Sequence, residues 1–321
     1  MHRHMGSIMK KTFVPVAKMM TIQTVITLAT TKGWHLHQMD IKNDFLQGEL
    51  DEVYMVQPPS FKSSTHPKAI KRASRAWRSK ITQYLHQIGF NMCKSDNSLF
   101  IWSDSRGQVF IIIYVDDLVI GGEHIADINN TKKVLSGRFE IKDMKEFHHF
   151  LGIEVIRIPI GIMISHRRYI LNLLYKFGMT ECKSMATPLN WNLKLDVDSD
   201  TKECELIHYY QLMVGSLIYL TITWPNLSYP VSLRKFMQTP RNIHLDYAKR
   251  VLHYVNGLMN YNILYKSATL IQLEGYVHML TRPATKSGRW STSGFVFSLG
   301  SGAISWSGKK ELTVALSHYS C

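Results

Sequence analysis

The chain has 321 residues, of which 45% are hydrophobic and 19% charged, enough to bury one large core or two smaller ones. Its net charge of +14 favours a polyanionic partner such as nucleic acid, although a basic protein without such a partner fits the charge equally well. The composition argues against a disulfide framework or a C-x-x-C zinc site, a membrane-spanning segment and a secretory signal, and it fits a reducing compartment.

Apolar periodicity predicts three helices in the first half of the chain, at 18–32, 77–90 and 125–139. The inward face of the first helix consists of Met19, Ile22, Val25, Ile26 and Ala29. The inward face of the second consists of Trp77, Ile81, Tyr84, Leu85 and Ile88. We expect these faces to pack in the core.

Two acidic sites interrupt apolar segments of this half. Asp40 follows a plausible strand and precedes a short helical or turn segment. Asp116 and Asp117 lie inside the β-branched run 109–120, whose composition is typical of buried strands. Because two adjacent carboxylates are costly to bury, we predict a β-hairpin with both near its tip, aimed at a divalent cation. A plain Asp-Asp turn with solvated side chains is the alternative.

The surroundings of this hairpin are also predicted from turn residues. The segment 103–107 is expected to join strands at 98–102 and 108–115. Gly121 and Gly122 are expected to form the turn that ends the returning strand.

The second half reads as a polar connector followed by helices. Residues 190–204 are rich in aspartate and mark a candidate boundary. Residues 209–220 predict an apolar helix that ends before Pro225. Two further helical stretches are expected within 232–258, and their basic side chains suit contact with phosphates, or simply a solvated surface. These side chains are Arg234, Lys235, Arg241, Lys249 and Arg250.

The spacing of the carboxylates suits two-metal phosphoryl chemistry. That chemistry needs acidic side chains from separate strands to converge on a pair of cations. Asp40 and the pair Asp116 and Asp117 come from well-separated segments and meet this requirement.

Several motifs resemble the reverse transcriptase of copia-type LTR retrotransposons. They are Gln38-Met39-Asp40-Ile41-Lys42, Phe45-Leu46-Gln47-Gly48, Val53-Tyr54-Met55-Val56-Gln57-Pro58-Pro59 and Tyr114-Val115-Asp116-Asp117. The resemblance implies an α+β fold: a right-hand polymerase palm, an antiparallel sheet with helices, followed by a helical thumb or connection and a partial ribonuclease H-like segment. It places the palm and partial fingers at 13–189, a linker at 190–204, thumb or connection helices at 205–270 and the truncated ribonuclease H-like segment at 271–321.

The same resemblance implies an RNA-directed DNA polymerase that uses two Mg²⁺ ions, deoxynucleoside triphosphates, an RNA template and a DNA primer. Asp40 and Asp116 would hold the cations, and Asp117 would assist. Phe45 and Tyr114 would lie at the nucleotide; Phe45 could equally be an ordinary buried aromatic residue. The expected location is the cytoplasm, within a virus-like particle, or the nucleus.

Departures from the family pattern predict a degenerate copy. The Tyr-Gly-Leu that relatives carry before the position of Lys71 is missing. Glutamine is replaced by Arg72, proline by Ser74, and a small residue by Asp44. The ribonuclease H acids are replaced around His278 and at 318–321, so that activity is expected to be absent. Two alternatives stay open: an inactive remnant that binds nucleic acid non-specifically, and an unrelated metal-binding protein or carboxylate hydrolase.

Overall fold

The computed structural model describes residues 17–42, 54–56, 68–70, 73–188, 202–227, 230–281 and 291–310. Asp44, Phe45 and most of the expected linker lie outside these ranges. The chain forms two compact units, Met1–His148 and His149–Cys321. The domain boundaries expected from the family stay a prediction. No helix in the described ranges is long and apolar enough to cross a bilayer.

The described residues of the first unit form antiparallel strands and three helices. Its helices are α1 (Met19–Lys32), α2 (Ala73–Gln87) and α3 (Ile125–Arg138). Its strands are β1 (His35–Ile41), β2 (Tyr54–Val56), β3 (Lys68–Ile70), β4 (Asn91–Met92), β5 (Leu99–Ser103), β6 (Gln108–Tyr114), β7 (Asp117–Gly122) and β8 (Ile141–Glu146). The three predicted helices are confirmed, although α2 begins and ends a few residues earlier than expected.

Six of these strands form one antiparallel sheet in the order β4-β5-β6-β7-β1-β8. Both predicted hairpins, β5–β6 and β6–β7, are confirmed. Strand β1 lies between β7 and β8, so a strand from early in the chain is inserted between two later ones. Strands β2 and β3 form a separate antiparallel pair.

The central strands are buried on both faces, which explains their nearly continuous apolar sequence. On one face, helices α2 and α3 pack against β1, β6 and β7 through Trp77, Ile81, Leu85, Ile128 and Leu135. The opposite face of these strands carries the buried residues Leu36, Phe110, Ile112 and Val119. Asp40, Tyr114 and Asp117 lie at one end of β1, β6 and β7, where each is only half-buried.

Strand β8 is held against the sheet by a buried lysine. Lys132 of α3 is 7% exposed, and its Nζ donates to both carboxylate oxygens of Asp143 at 3.0 and 3.1 Å and to His37 Nδ1 at 2.8 Å. A buried ammonium needs such partners to offset its desolvation. The contact joins α3, β1 and β8.

Gly121 and Gly122 do not form the predicted turn. Both are buried in β7, where they pair with β6 and β1, and the strand ends at Gly122. A Cβ at Gly121 would collide with the Phe110 ring and lie 2.8 Å from the His35 carbonyl oxygen, and one at Gly122 would collide with the Gln108 carbonyl oxygen. These glycines therefore allow the neighbouring strands to approach closely, which is a known role of glycine inside sheets.

We expect Gly122→Ala to destabilise the protein by about 2 kcal/mol or more, because backbone atoms must move to accommodate the methyl group. Gly137→Ala is the matched control, since a Cβ there meets nothing within 4 Å and alanine is favoured in a helix by about 0.5–1 kcal/mol. Urea unfolding measures both changes. Equal stability of the two variants would contradict this explanation of the β7 glycines.

In the second unit, the part of the chain that the structure describes forms three helices and two antiparallel sheets. The helices are α4 (Arg167–Lys176), α5 (Ile207–Leu220) and α6 (Asn242–Gly257), with short 3₁₀ helices at Pro225–Leu227 and Pro230–Phe236. The strands are β9 (His149–Phe150), β10 (Ile153–Ile158), β11 (Gly161–Ser165), β12 (Ile263–Lys266), β13 (Leu273–Thr281), β14 (Ser291–Leu299) and β15 (Gly302–Lys310). The helix expected at 209–220 is confirmed, and the stretch 232–258 contains most of one 3₁₀ helix and all of α6.

The three helices of this unit share one apolar core, which includes Leu174, Tyr210, Leu217 and Val251. One sheet has the order β12-β11-β10-β9 and the other β13-β14-β15. Trp306 Nε1 of β15 donates to the Thr221 carbonyl oxygen at 2.7 Å, just after α5. This bond ties the last sheet to the helical core.

Candidate active site

The register of the central sheet brings Asp40 and Asp117 together. They are direct partners in the antiparallel β1–β7 pair, although 77 positions separate them in sequence. The neighbouring Ile41 N–H donates to the Asp116 carbonyl oxygen at 2.9 Å. Because hydrogen-bonded and non-hydrogen-bonded pairs alternate in such ladders, Asp40 and Asp117 form a non-hydrogen-bonded pair, in which side chains on one face lie closest.

Asp116 lies in the two-residue loop that joins β6 to β7. Tyr114 and Asp117 close the hairpin, with Val115 and Asp116 between them. Val115 has a φ of 51°, which tight hairpin turns require at their first loop position but which is strained for a β-branched residue. The Ile41 hydrogen bond anchors the Asp116 backbone, whereas its side chain is exposed. The hairpin therefore presents this carboxylate beside the other two.

The environment makes Asp117 costly to ionise. Burial raises the pKa of this half-buried carboxyl, and the nearby charges of Asp116 and Asp40 raise it further. A hydrogen bond from Gln38 Nε2 to Asp117 Oδ1, at 2.9 Å, acts in the opposite direction. A cation at this end of the sheet would relieve the repulsion among the three carboxylates.

No described lysine or arginine forms an ion pair with Asp40, Asp116 or Asp117. Within the described ranges, no group of three histidine, cysteine, aspartate or glutamate side chains is arranged as a metal cage. Among the described residues, the site is thus an acidic surface whose carboxylates form no ion pair with a cationic side chain. Such a surface can bind a hard divalent cation together with oxygens from a ligand.

The structure brings together four of the five predicted site residues. Asp40, Asp116 and Asp117 lie at one end of adjacent strands, and half-buried Tyr114 pairs with Asp117. Phe45 lies outside the described residues, so its role stays a prediction. Sequence reasoning missed Gln38, although its position two residues before Asp40 places it on the same face of a strand.

Comparison with known proteins identifies the family of this chain. Residues 2–191 match the family model described as reverse transcriptase (RNA-dependent DNA polymerase). The chain is 39% identical over 319 residues to the retrovirus-related Pol polyproteins from transposons RE1 and RE2 of Arabidopsis thaliana, covering 96% of this chain and 22% of each polyprotein. It is 30% identical over 286 residues to the putative transposon Ty5-1 protein of Saccharomyces cerevisiae, covering 85% of this chain and 92% of that protein.

No solved structure is significantly similar to the chain. The chain spans about a fifth of the length of the Arabidopsis polyproteins. The family match covers more than half of this chain and includes all five predicted site residues. The chain belongs to the reverse transcriptase family found in the Pol polyproteins of copia-type retrotransposons.

Proposed function

We propose that this chain is an RNA-directed DNA polymerase domain that extends a DNA primer on an RNA template. The observation that carries the proposal is the pairing of Asp40 with Asp117 beside the Asp116 loop. Asp40 comes from one segment and Asp116 and Asp117 from another, and all three lie at the same end of the sheet, which supports two-metal nucleotidyl transfer. The family membership supplies the substrate class, and the charge of +14 suits a nucleic-acid partner.

The residues present fit magnesium. Their donor atoms are carboxylate oxygens, which Mg²⁺ prefers, and no described lysine or arginine pairs with them. Mg²⁺ does not require a cage of three protein ligands, because it is commonly held by one or two carboxylates together with substrate phosphates. Two such ions, when bound, stabilise the attacking and leaving oxygens of the displacement.

Each side chain has a distinct place in this scheme. Asp40 and Asp116 are the proposed cation ligands; at the end of the sheet, Asp116 is exposed and Asp40 is half-buried. Asp117, which is half-buried between them, adds negative charge and assists. Tyr114, which closes the hairpin with Asp117, is proposed to lie at the incoming nucleotide. Phe45 is proposed to contact the sugar of the incoming deoxynucleoside triphosphate.

The two units suit different parts of a polymerase. We assign the six-stranded sheet to the palm and helices α5 and α6 to the thumb or connection. Arg234 and Lys235, in the 3₁₀ helix between α5 and α6, are exposed, and Lys249 and Arg250 of α6 are half-buried, which suits contact with phosphates. We also propose that the protein acts in the cytoplasm, within a virus-like particle, or in the nucleus.

The last sheet is proposed to be a ribonuclease H-like segment without activity. Strands β13, β14 and β15 together contain one carboxylate, Glu274, whereas a two-metal site needs several. We expect the RNA strand of an RNA–DNA hybrid to remain intact after incubation with the protein and Mg²⁺, as measured on a denaturing gel. Cleavage that EDTA abolishes would overturn this assignment.

Primer extension tests the polymerase proposal. The full chain is incubated with an RNA template, a labelled DNA primer, deoxynucleoside triphosphates and Mg²⁺. Extended primer that EDTA prevents is the expected result. Salt-sensitive binding of the template–primer without any extension would instead identify an inactive remnant, the alternative raised by the departures from the family pattern around Arg72 and Ser74.

A further inference from the structure

Gln38 connects the two strands that carry the acidic residues. It lies two residues before Asp40 on β1 and partners Val119 of β7. Its side chain reaches diagonally from Val119 to Asp117, the neighbouring residue on the same face of β7. The Gln38 Nε2 donates to Asp117 Oδ1 at 2.9 Å. Diagonal contacts of this kind are within reach of long side chains in an antiparallel pair.

A β-bulge lies beside Gln38 on the other neighbouring strand. The register of β1 with β8 shifts between Gln38 and Met39, and Lys145 at the bulge has a φ of 67°. The Lys145 N–H donates to Asp143 Oδ1 at 2.8 Å, and Asp143 is also held by Lys132. Bulges bend a strand locally and often redirect side chains near functional sites. This part of β1 is therefore fixed from both sides.

The chemistry of an amide suits a site that must stay acidic. A lysine or arginine at this position would neutralise Asp117 and compete with a cation. The neutral Gln38 amide restricts one oxygen of Asp117 by a hydrogen bond and adds no charge. Neighbouring donors of this kind orient carboxylate ligands and strengthen metal binding.

We propose that Gln38 is a positioning residue that holds the Asp117 carboxylate in the orientation needed for divalent cations to bind among Asp40, Asp116 and Asp117. This inference rests on the proposed polymerase function. The competing explanation is that Gln38 only satisfies a half-buried carboxylate and so contributes to stability.

The test replaces Gln38 by methionine, which keeps the length of the side chain but has no N–H donor. Gln108→Met is the matched control, because Gln108 lies at the opposite end of the β6–β7 hairpin. Mn²⁺ binding to the full chain is measured by electron paramagnetic resonance without substrates. The dependence of primer extension on Mn²⁺ and the thermal unfolding midpoint are measured in parallel.

We expect Gln38→Met to raise both the Mn²⁺ dissociation constant and the half-saturating Mn²⁺ concentration about tenfold or more, while the extension rate at saturating Mn²⁺ changes less. The control should match the wild type. Unchanged Mn²⁺ binding in Gln38→Met, with or without a lower unfolding midpoint, would overturn the inference, as would a wild-type chain that binds no Mn²⁺. A third outcome separates the two proposals: the wild type binds Mn²⁺, Gln38→Met weakens this binding, and neither chain extends the primer. That result would support the positioning role and refute the polymerase proposal.

Discussion

Replacing Asp116 by asparagine is expected to lower the primer-extension rate about a thousandfold, equivalent to about 4 kcal/mol of transition-state stabilisation. Asparagine keeps the shape of the side chain and one carbonyl oxygen but removes the charge that a cation requires. The structural role of this residue belongs to its backbone, whose carbonyl oxygen accepts a hydrogen bond from Ile41. The variant should therefore fold normally and bind template–primer.

Glu123→Gln provides the matched control for this prediction. Glu123 is an exposed carboxylate that follows β7 at the end opposite Asp116, so its neutralisation changes the net charge equally but leaves the acidic site intact. Single-turnover extension rates and thermal unfolding midpoints should be compared for both variants. A rate in Asp116→Asn within tenfold of the wild type would remove Asp116 from the metal-binding residues.

Local patterns in the sequence were sufficient to predict the hairpin that carries this residue. The run from Val109 to Ile120 is too β-branched for a helix, and its adjacent carboxylates require a place near solvent. The inward faces of α1 and α2 were also predicted correctly, because a period of 3.6 residues appears in any amphipathic helix. These features depend on residues that are close together in sequence.

Features that depend on distant residues were not predictable in the same way. The pairing of Asp40 with Asp117 follows from the insertion of β1 between β7 and β8, which no local pattern encodes. The Gln38 hydrogen bond depends on that register and on one side-chain rotamer. Gly121 and Gly122 were misread as a turn because the space taken by Phe110 and by the neighbouring strands is visible only after folding.

The buried imidazole of His166 should make the protein sensitive to acid. His166 is the residue immediately before α4 and is 1% exposed. Neither nitrogen of its ring has a hydrogen-bond partner among the described atoms. The ring stacks on Tyr219 at 5.5 Å and contacts Tyr169 at 5.9 Å between centroids. Burial lowers the pKa of His166 to about 4. A positive charge is also disfavoured at the start of a helix.

The sign of the pH effect follows from this depressed pKa. An unfolded histidine has a pKa of about 6.5, so between pH 6.5 and 4 the unfolded chain binds a proton at this position that the folded chain does not. The stability that His166 contributes is therefore complete above pH 6.5 and declines as the pH falls towards 4, by up to about 3 kcal/mol.

His166→Phe should remove this part of the pH dependence while keeping an aromatic ring against Tyr219. His208→Gln, at an exposed position of α5, should retain it. Urea unfolding followed by tryptophan fluorescence at pH 7, 6 and 5 measures the difference between the variants, and an equally steep loss of stability in His166→Phe and the wild type would show that His166 does not resist protonation in the folded state.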